Sequence, residues 1–406
     1  MNASQPKLLM VKPIVPWPPN QGTRVVTAWL LHALRDHFDI TVLARITETS
    51  DLDGVTSLEA MGVRVVTVRA PSRRSMVHRV WYRLVYGLRS LAFRRSLKSL
   101  YDCPGATRKA ARELARKPFD LILLEYWQLY PLLDVFPPEK VILLTHDIDQ
   151  LVNQREALLE KSLGRKIQRT RRWMVERREE TNAYRRVHRV FTLTERDAQA
   201  VRTLAPATRV DLLPFGLPME AATLQRRTSR EVLFFGAMSA GFNRDAAVFF
   251  VREVYPHLED HDLTVRFVGG QLPKCVESFG SRDCVHVIGR VDDVRPWFDR
   301  AACLAVPLRY GGGLRIRILE AMAAGVPVVC TPVAIAGMPF EAGTHYSCGR
   351  DGAELAECID RLLSDPAAGL DLARAARERV EAIYGEESAR NRLIHLFQSV
   401  GTEHAT

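Results

Sequence analysis

Along most of its length this chain alternates short apolar runs with longer segments in which apolar residues recur at helical spacing. Strand candidates are 7–11, 39–43, 63–68, 119–124, 140–145, 187–192 and 209–213. A second set follows at 232–235, 264–268, 285–288, 303–306 and 327–330. Helical spacing marks 25–37, a segment near 57–61, 194–204, 244–255, 294–300, 314–324 and 352–364, and Thr194 opens a capping-box-like start. A strand that is followed by a helix returns to a parallel neighbour, so the pattern predicts doubly wound α/β layers. One polar stretch, 217–230, holds Arg226, Arg227, Thr228, Ser229 and Arg230 and interrupts the alternation, which restarts at Glu231. The expectation is two Rossmann-like doubly wound domains, 1–216 and 231–385, joined by a linker and facing a cleft. Ligands in such domains bind beyond the C-terminal strand ends, so that cleft is the expected site.

Composition supports a packed α/β protein and narrows the function classes. Of 406 residues, 47% are hydrophobic and 26% charged, outside the ranges of disordered, collagen-like or coiled-coil chains. No run reaches the ~20 apolar residues that span a bilayer. The longest candidates are interrupted by Glu125 and Pro131, and by Glu320, Pro327 and Pro332. The opening segment has Lys12 and Pro13 inside a short apolar run and no small-residue cleavage site, so a secretory leader is not expected and a cytoplasmic location is. Seven scattered cysteines, with no CxxC and no zinc spacing, read as buried thiols in a reducing compartment.

The net charge of +10 is unevenly placed. Between Arg73 and Lys117 there are thirteen basic residues against Asp102 and Glu113, and between Arg155 and Arg189 twelve basic against five acidic. In the first stretch Trp81, Leu84, Val85, Leu88, Leu91 and Ala92 would share one helix face, with basic residues filling much of the rest. That pattern suits an anionic membrane surface, peripherally on the inner face of the cytoplasmic membrane, and equally suits a helix packed on its own domain. No helix-turn-helix, zinc-finger or RNP pattern is present, so nucleic acid is not an expected partner.

Three stretches carry chemistry. The segment from Pro16 to Arg24 places Gly22 between the first strand and first helix, where bare N–H groups meet an anion; it is not a GxGxxG fingerprint. His146 stands at the end of a buried strand, where a doubly wound fold places its functional side chains. The nearby Asp147 and Asp149 lack the further ligands a metal needs, and no metal is expected. The third stretch, from Ala305 to Thr331, reads strand, glycine loop, helix, glycine stop, strand. Gly311, Gly312 and Gly313 open an anion site, Arg315 and Arg317 add charge suited to a diphosphate, and Glu320 can accept from a ribose diol.

From Gly311 to Thr331 the sequence resembles the nucleotide-sugar motif of glycosyltransferase family 4, on the GT-B fold, in a form similar to an exopolysaccharide and cell-surface glycan branch. Phe235 to Met238, Asn243 to Ala246, Phe267 to Gly270 and Val287 to Asp293 resemble other parts of the donor domain. Pro16 to Arg24 resembles the N-terminal glycine loop, and His146 the cleft histidine. The resemblance implies a retaining transfer of a sugar from a nucleoside diphosphate sugar to a hydroxyl of a glycan or lipid-linked acceptor, with no cofactor and no metal. It implies catalytic contacts through His146, Arg315 and Glu320. Donor contacts would come from Gly22, Gly236, Asn243, Arg290, Gly312, Gly313, Leu314 and Arg317. It also implies that 386–406 crosses back to the N-terminal domain. Two departures stand out. Gly312 occupies the place where many members carry a glutamate against the transferred sugar, and the frequent Arg and Lys pair after the domain's first strand is absent. Arg315 and Arg317 are the candidates for that charge, with Arg244 next. Two other readings stay open: a nucleotide-sugar epimerase, and a non-catalytic glycan-binding or scaffold subunit on the same fold.

Overall fold

The computed structural model describes residues 5–69, 84, 95–220, 224–238, 240–259, 262–270, 272–281 and 284–403. The chain forms two compact units, Met1–Phe215 with Arg390–Thr406, and Gly216–Ala389. Each is built on a parallel sheet, and together they are two Rossmann-like α/β domains.

Unit 1 contains β1 (Lys7–Lys12), β2 (Asp39–Ile46), β3 (Arg64–Arg69), β4 (Leu121–Glu125), β5 (Val141–Leu144), β6 (Arg189–Thr192) and β7 (Arg209–Leu212). Their order is β3-β2-β1-β4-β5-β6-β7 and every pair is parallel. The described connections include α1 (Gly22–Leu34), α2 (Asp51–Ala60), α3 (Leu97–Asp102), α4 (Gly105–Leu114), α5 (Asp149–Leu159), α6 (Leu163–Arg186) and α7 (Glu195–Leu204). Helices cover the sheet faces, so the central strands β4, β5 and β6 are buried throughout. Leu9, Val11, Ile122, Leu124, Leu143 and Val190 lie in one core cluster. The order reverses between β1 and β4, which makes their C-terminal ends the switch point.

Unit 2 contains β8 (Glu231–Phe235), β9 (Thr264–Val268), β10 (Val285–Gly289), β11 (Cys303–Val306), β12 (Val328–Cys330) and β13 (Ser347–Cys348), in the order β10-β9-β8-β11-β12-β13. Its helices are α8 (Gly241–Phe249), α9 (Lys274–Glu277), α10 (Arg295–Arg300), α11 (Ile316–Ala323), α12 (Pro332–Ile335), α13 (Gly352–Ser364) and α14 (Pro366–Tyr384). The reversal here lies between β8 and β11. Phe234, Phe250 and Phe267 pack edge-on and tilted at 5.1–6.3 Å between ring centres under this sheet. The last helix, α15 (Glu386–Glu403), brings Phe397 against Phe38 and Phe191 of unit 1.

Local differences from the sequence reading have identifiable causes. The helix expected near 57–61 begins earlier, at Asp51, whose carboxylate accepts from the Thr47 and Glu48 N–H groups and so organises the turn before it. The helix expected from 314 begins at Ile316, because Gly311 and Gly313 hold positive φ and keep the loop open that far. The segment expected over 244–255 starts at Gly241 and widens to a π-turn at Phe250–Val254. Thr194 caps α7 as expected, accepting from Asp197 N–H at 3.2 Å. All seven cysteines are free. The amphipathic face proposed for Trp81, Val85, Leu88, Leu91 and Ala92 lies outside the described residues; of that set only Leu84 is described, and it is exposed.

The described residues of the polar stretch 217–230 belong to unit 2. Leu217 N–H bonds to Tyr384 O at 2.7 Å. The Arg227 guanidinium donates to the carbonyls of Phe298, Ala301, Ala324 and Gly325 at 2.6–3.3 Å, which closes the C-terminal ends of α10 and α11. Removing that fork leaves buried carbonyls unsatisfied at about 1–3 kcal/mol. Arg227→Ala is expected to lower the melting temperature of unit 2 by roughly 4–10 °C in calorimetry, with Arg227→Lys recovering only part, because an ammonium cannot span the same carbonyls.

Candidate functional site

In unit 2 the sequence-selected residues converge on the β8/β11 end. Gly236 follows β8, and a Cβ there would lie 2.3 Å from Arg317 Nη1 and 3.1 Å from Asn243 Nδ2. Only a glycine lets those side chains come this close to the backbone. Arg317 Nη1 donates to Phe235 O at 2.7 Å, so the guanidinium is fastened to the strand end. Burial, with Arg315 nearby, lowers its pKa to about 9, which leaves it charged at neutral pH. Asn243 Nδ2 donates to Ala237 O at 2.8 Å, while its Oδ1 is buried without a hydrogen bond. Arg315 stands at the N-cap of α11, packs its guanidinium 4.9 Å from the Phe242 ring and lies over Gly311. The Arg315 side chain makes no cap hydrogen bond to α11, and the helix's first turn holds no carboxylate. A helix start with two fixed guanidiniums beside it is a ready site for a dianion.

Glu320 sits further along α11. Burial alone pushes its carboxyl up to about 7, with no nearby charge or donor offsetting it. Leu314 is buried and Gly312 half-buried in the same loop. Arg290 follows β10 at the sheet edge and is exposed, two strands from the reversal. The ends of β8, β9 and β10 are drawn together by Gly236 N–H to Val268 O and Gly269 N–H to Gly289 O. A Cβ on Gly269 would strike Gly236 O.

In unit 1 the C-terminal ends of β1, β4 and β5 hold Lys12, Glu125 and His146, each at most 4% exposed. Lys12 Nζ meets Glu125 Oε2 at 2.5 Å, Thr27 Oγ1 donates to the same oxygen at 2.8 Å, and His146 Nε2 lies 3.0 Å from it. Lys12 also donates to Thr23 O in the first turn of α1, at 3.2 Å. This knot ties the helix that Gly22 opens to the strand end that carries His146. Gly22 itself is exposed, and α1 begins without a side-chain cap or a first-turn carboxylate.

Burial would raise the Glu125 carboxyl, but Lys12 and the hydrogen bond from His146 outweigh it and hold it near 2. An ionised carboxylate only accepts, so Nε2 of His146 carries the proton and Nδ1 the lone pair. Burial, and the Lys12 charge, shift His146 below its ordinary value against the pull of Glu125 and Asp147, so the ring is neutral at pH 7. Its Nδ1 is buried and makes no hydrogen bond. Tyr126, directly after β4, packs its ring tilted at 40° and 4.8 Å from the His146 ring and holds φ +83, the one positive value at a non-glycine residue among those described. Strain of this kind at a strand end marks a site over-determined by its surroundings. Sequence reading passed over Lys12 and Glu125 as interruptions of apolar runs. The signal available was that each charge terminates a strand on one side of the order reversal.

Residues 229–365 match the family model described as Glycosyl transferases group 1. No curated protein sequence matches the chain. Among solved structures, sucrose-phosphate synthase from Thermosynechococcus elongatus aligns at TM-score 0.74 and 18% identity, covering 98% of this chain and all of that one. Anabaena HepE, solved in complex with UDP and glucose, aligns at TM-score 0.67 and 15% identity over 97% of this chain and 100% of its own. WaaG, a glycosyltransferase involved in lipopolysaccharide biosynthesis, aligns at 0.62 and 15% over 95% and 99%. The fold is therefore that of the GT-B glycosyltransferases, and the match to the group 1 family model covers 229–365.

Glu125→Gln strands the Lys12 ammonium in the core, and an uncompensated buried charge costs about 3–5 kcal/mol. The single variant is expected to lose that much stability in denaturant titration. The Lys12→Met/Glu125→Gln double variant, which removes both charges, is expected to recover most of it.

Proposed function

We propose that this protein is a retaining glycosyltransferase of the family 4 type that moves a sugar from a nucleoside diphosphate sugar to an acceptor hydroxyl. The observation that carries this is the β8/β11 end of unit 2: an uncapped helix start, a glycine loop, Arg315, Arg317 and an uncompensated Glu320 within a group 1 glycosyltransferase domain. Solved proteins of the same fold have been captured with UDP and with UDP-glucose, which supports a nucleotide-sugar donor. In this reading Glu320 accepts from the ribose diol. Arg315, Arg317 and the α11 N–H groups stabilise the departing diphosphate as its charge develops. Those groups supply the positive charge that the leaving group needs, so activity in a chelator is part of the proposal. Gly236, Asn243, Gly312, Gly313 and Leu314 line the donor contact, with Arg290 on the base side and Gly22 toward the phosphates or sugar. His146 accepts a donor-sugar hydroxyl at Nδ1, the tautomer that Glu125 enforces.

A glycan or lipid-linked acceptor, in surface polysaccharide or glycolipid synthesis, completes the reading; WaaG and a TarM complex with glycan ligands are structural relatives that act in such chemistry or bind such molecules. No described helix is long and apolar enough to cross a membrane. We place the enzyme in the cytoplasm, with the stretch between Arg73 and Lys117 available for contact with an anionic inner surface. Gly312, in place of the frequent glutamate, favours one second reading, a non-catalytic glycan-binding subunit.

The test is thermal shift against UDP, GDP, ADP, CDP, TDP and their common sugars, followed by product analysis with the responding donor. At ~100 times Kd a ligand adds ~2.7 kcal/mol. A response selective for one base, with sugar transfer in the presence of EDTA, is expected. Binding without turnover on any acceptor would favour the scaffold reading, and no response from folded protein would remove the transferase and leave the scaffold reading in its place.

Glu320 gives a pH-dependent signature. Its carboxyl lies near 7 when the site is empty, and ribose hydroxyls favour the ionised form, so donor binding expels a proton below about pH 7. Affinity for a nucleoside diphosphate sugar is therefore expected to rise with pH toward 7 and level off above it. Calorimetry at about pH 6.5 in buffers of different ionisation enthalpy should show proton release that vanishes in Glu320→Gln.

A further inference from the structure

Helix α6 is turned inside out for a surface helix. Its three carboxylates, Glu176, Glu179 and Glu180, are at most 6% exposed, while Leu163, Ile167 and Met174 are 74%, 62% and 55% exposed. The rotation is not accidental, because each buried carboxylate is met by donors. Glu180 accepts the Asp149 and Gln150 N–H groups at the start of α5 and the Tyr184 hydroxyl. Glu176 accepts from Asn153, and Glu179 from Tyr130, Ser99 and the Ser96 N–H. On the side toward α5, Arg165, Arg169 and Arg172 pair with Glu156 and Glu160. Turning the apolar stripe inward would take these carboxyl groups away from their donors and break the Arg–Glu pairs.

The outer face is thereby fixed as apolar and cationic. Spacings of four and seven residues put Leu163, Ile167 and Met174 on one stripe. Lys166, Arg171, Arg177 and Arg178 are exposed beside it, and no carboxylate of α6 faces outward. Leu158 and Leu159, also exposed, extend the apolar surface across the turn from α5. The stripe from 163 to 178 runs roughly 22 Å along the helix.

We propose that this face of the α5–α6 hairpin docks on an anionic lipid surface, with Leu163, Ile167 and Met174 entering the headgroup boundary and the flanking Lys and Arg side chains meeting the headgroups. Charge complementarity selects that occupant. A second copy of the chain would oppose cation to cation, and the stretch between Arg73 and Arg94 is itself basic and lacks acidic residues. The proposal does not depend on the donor reading.

Co-sedimentation tests it, using the full chain with phosphatidylcholine vesicles and with vesicles holding about one-quarter phosphatidylglycerol. Binding only to the anionic vesicles, weakened by salt, is expected. Leu163→Ser/Ile167→Ser/Met174→Ser and Lys166→Glu/Arg171→Glu/Arg178→Glu should each lower partitioning about tenfold or more. Their circular dichroism should match that of the unaltered chain, since the altered side chains face solvent. Trp81→Ser should leave most of the binding intact. Equal binding to neutral vesicles, no binding at all, or undiminished binding by both triple variants would overturn the proposal. So would a dimer in lipid-free solution that the serine variant abolishes, which would make a second copy the occupant.

Discussion

Parallel pairing is the constraint on which the rest of this structure depends. A strand cannot reach a parallel neighbour through a tight hairpin, so the chain must cross over a sheet face, mostly in helices. Those crossovers bury both faces of both sheets and leave polar chemistry to the strand ends. At the two order reversals, β1/β4 and β8/β11, adjacent crossovers leave in opposite directions and their loops separate. Lys12, Glu125, His146, the strained Tyr126, Arg315 and Arg317 all stand at one of these reversals.

The two units use their reversals differently. In unit 1 the strand ends hold a closed knot in which one Glu125 oxygen collects Lys12, Thr27 and His146. Its product is a neutral imidazole with one nitrogen committed and the other unbonded. In unit 2 the positive charge is in excess: Arg315 and Arg317 stand together at a helix start, and their mutual repulsion is part of what lowers Arg317. A site that sets two guanidiniums beside the N–H groups of a helix start is organised for an anion.

Helix α6 applies the same electrostatic logic to a surface. Three carboxylates that serve helix starts and hydroxyls inside the unit fix the helix rotation, so the outward face follows from what the inward face must satisfy. Composition alone would place glutamates outside and leucine inside. The reversed arrangement is understandable only with the partners from α5, Ser96, Ser99 and Tyr130 in view.

Much of the fold was legible because parallel α/β architecture writes itself locally: strand runs such as 121–125 and 303–306, glycine stops such as Gly325 and caps such as Thr194 are properties of neighbouring residues. The unit 2 motif was legible for the same reason, since Gly311, Arg315, Arg317 and Glu320 lie within one loop and one helix. Lys12 and Glu125 were not, because a charge ending an apolar run acquires meaning only when a distant strand brings its partner beside it. Nor could sequence say that Arg227, in what read as a linker, would close two helix ends, or that α6 would bury its glutamates. The sequence by itself determined the parallel α/β class and the glycine loop that opens α11, because periodicity, glycine conformations and helix starts are short-range. Which charges pair, which imidazole nitrogen stays unbonded and which face of α6 meets solvent were decided by tertiary structure alone, because burial and Coulomb partners are long-range quantities.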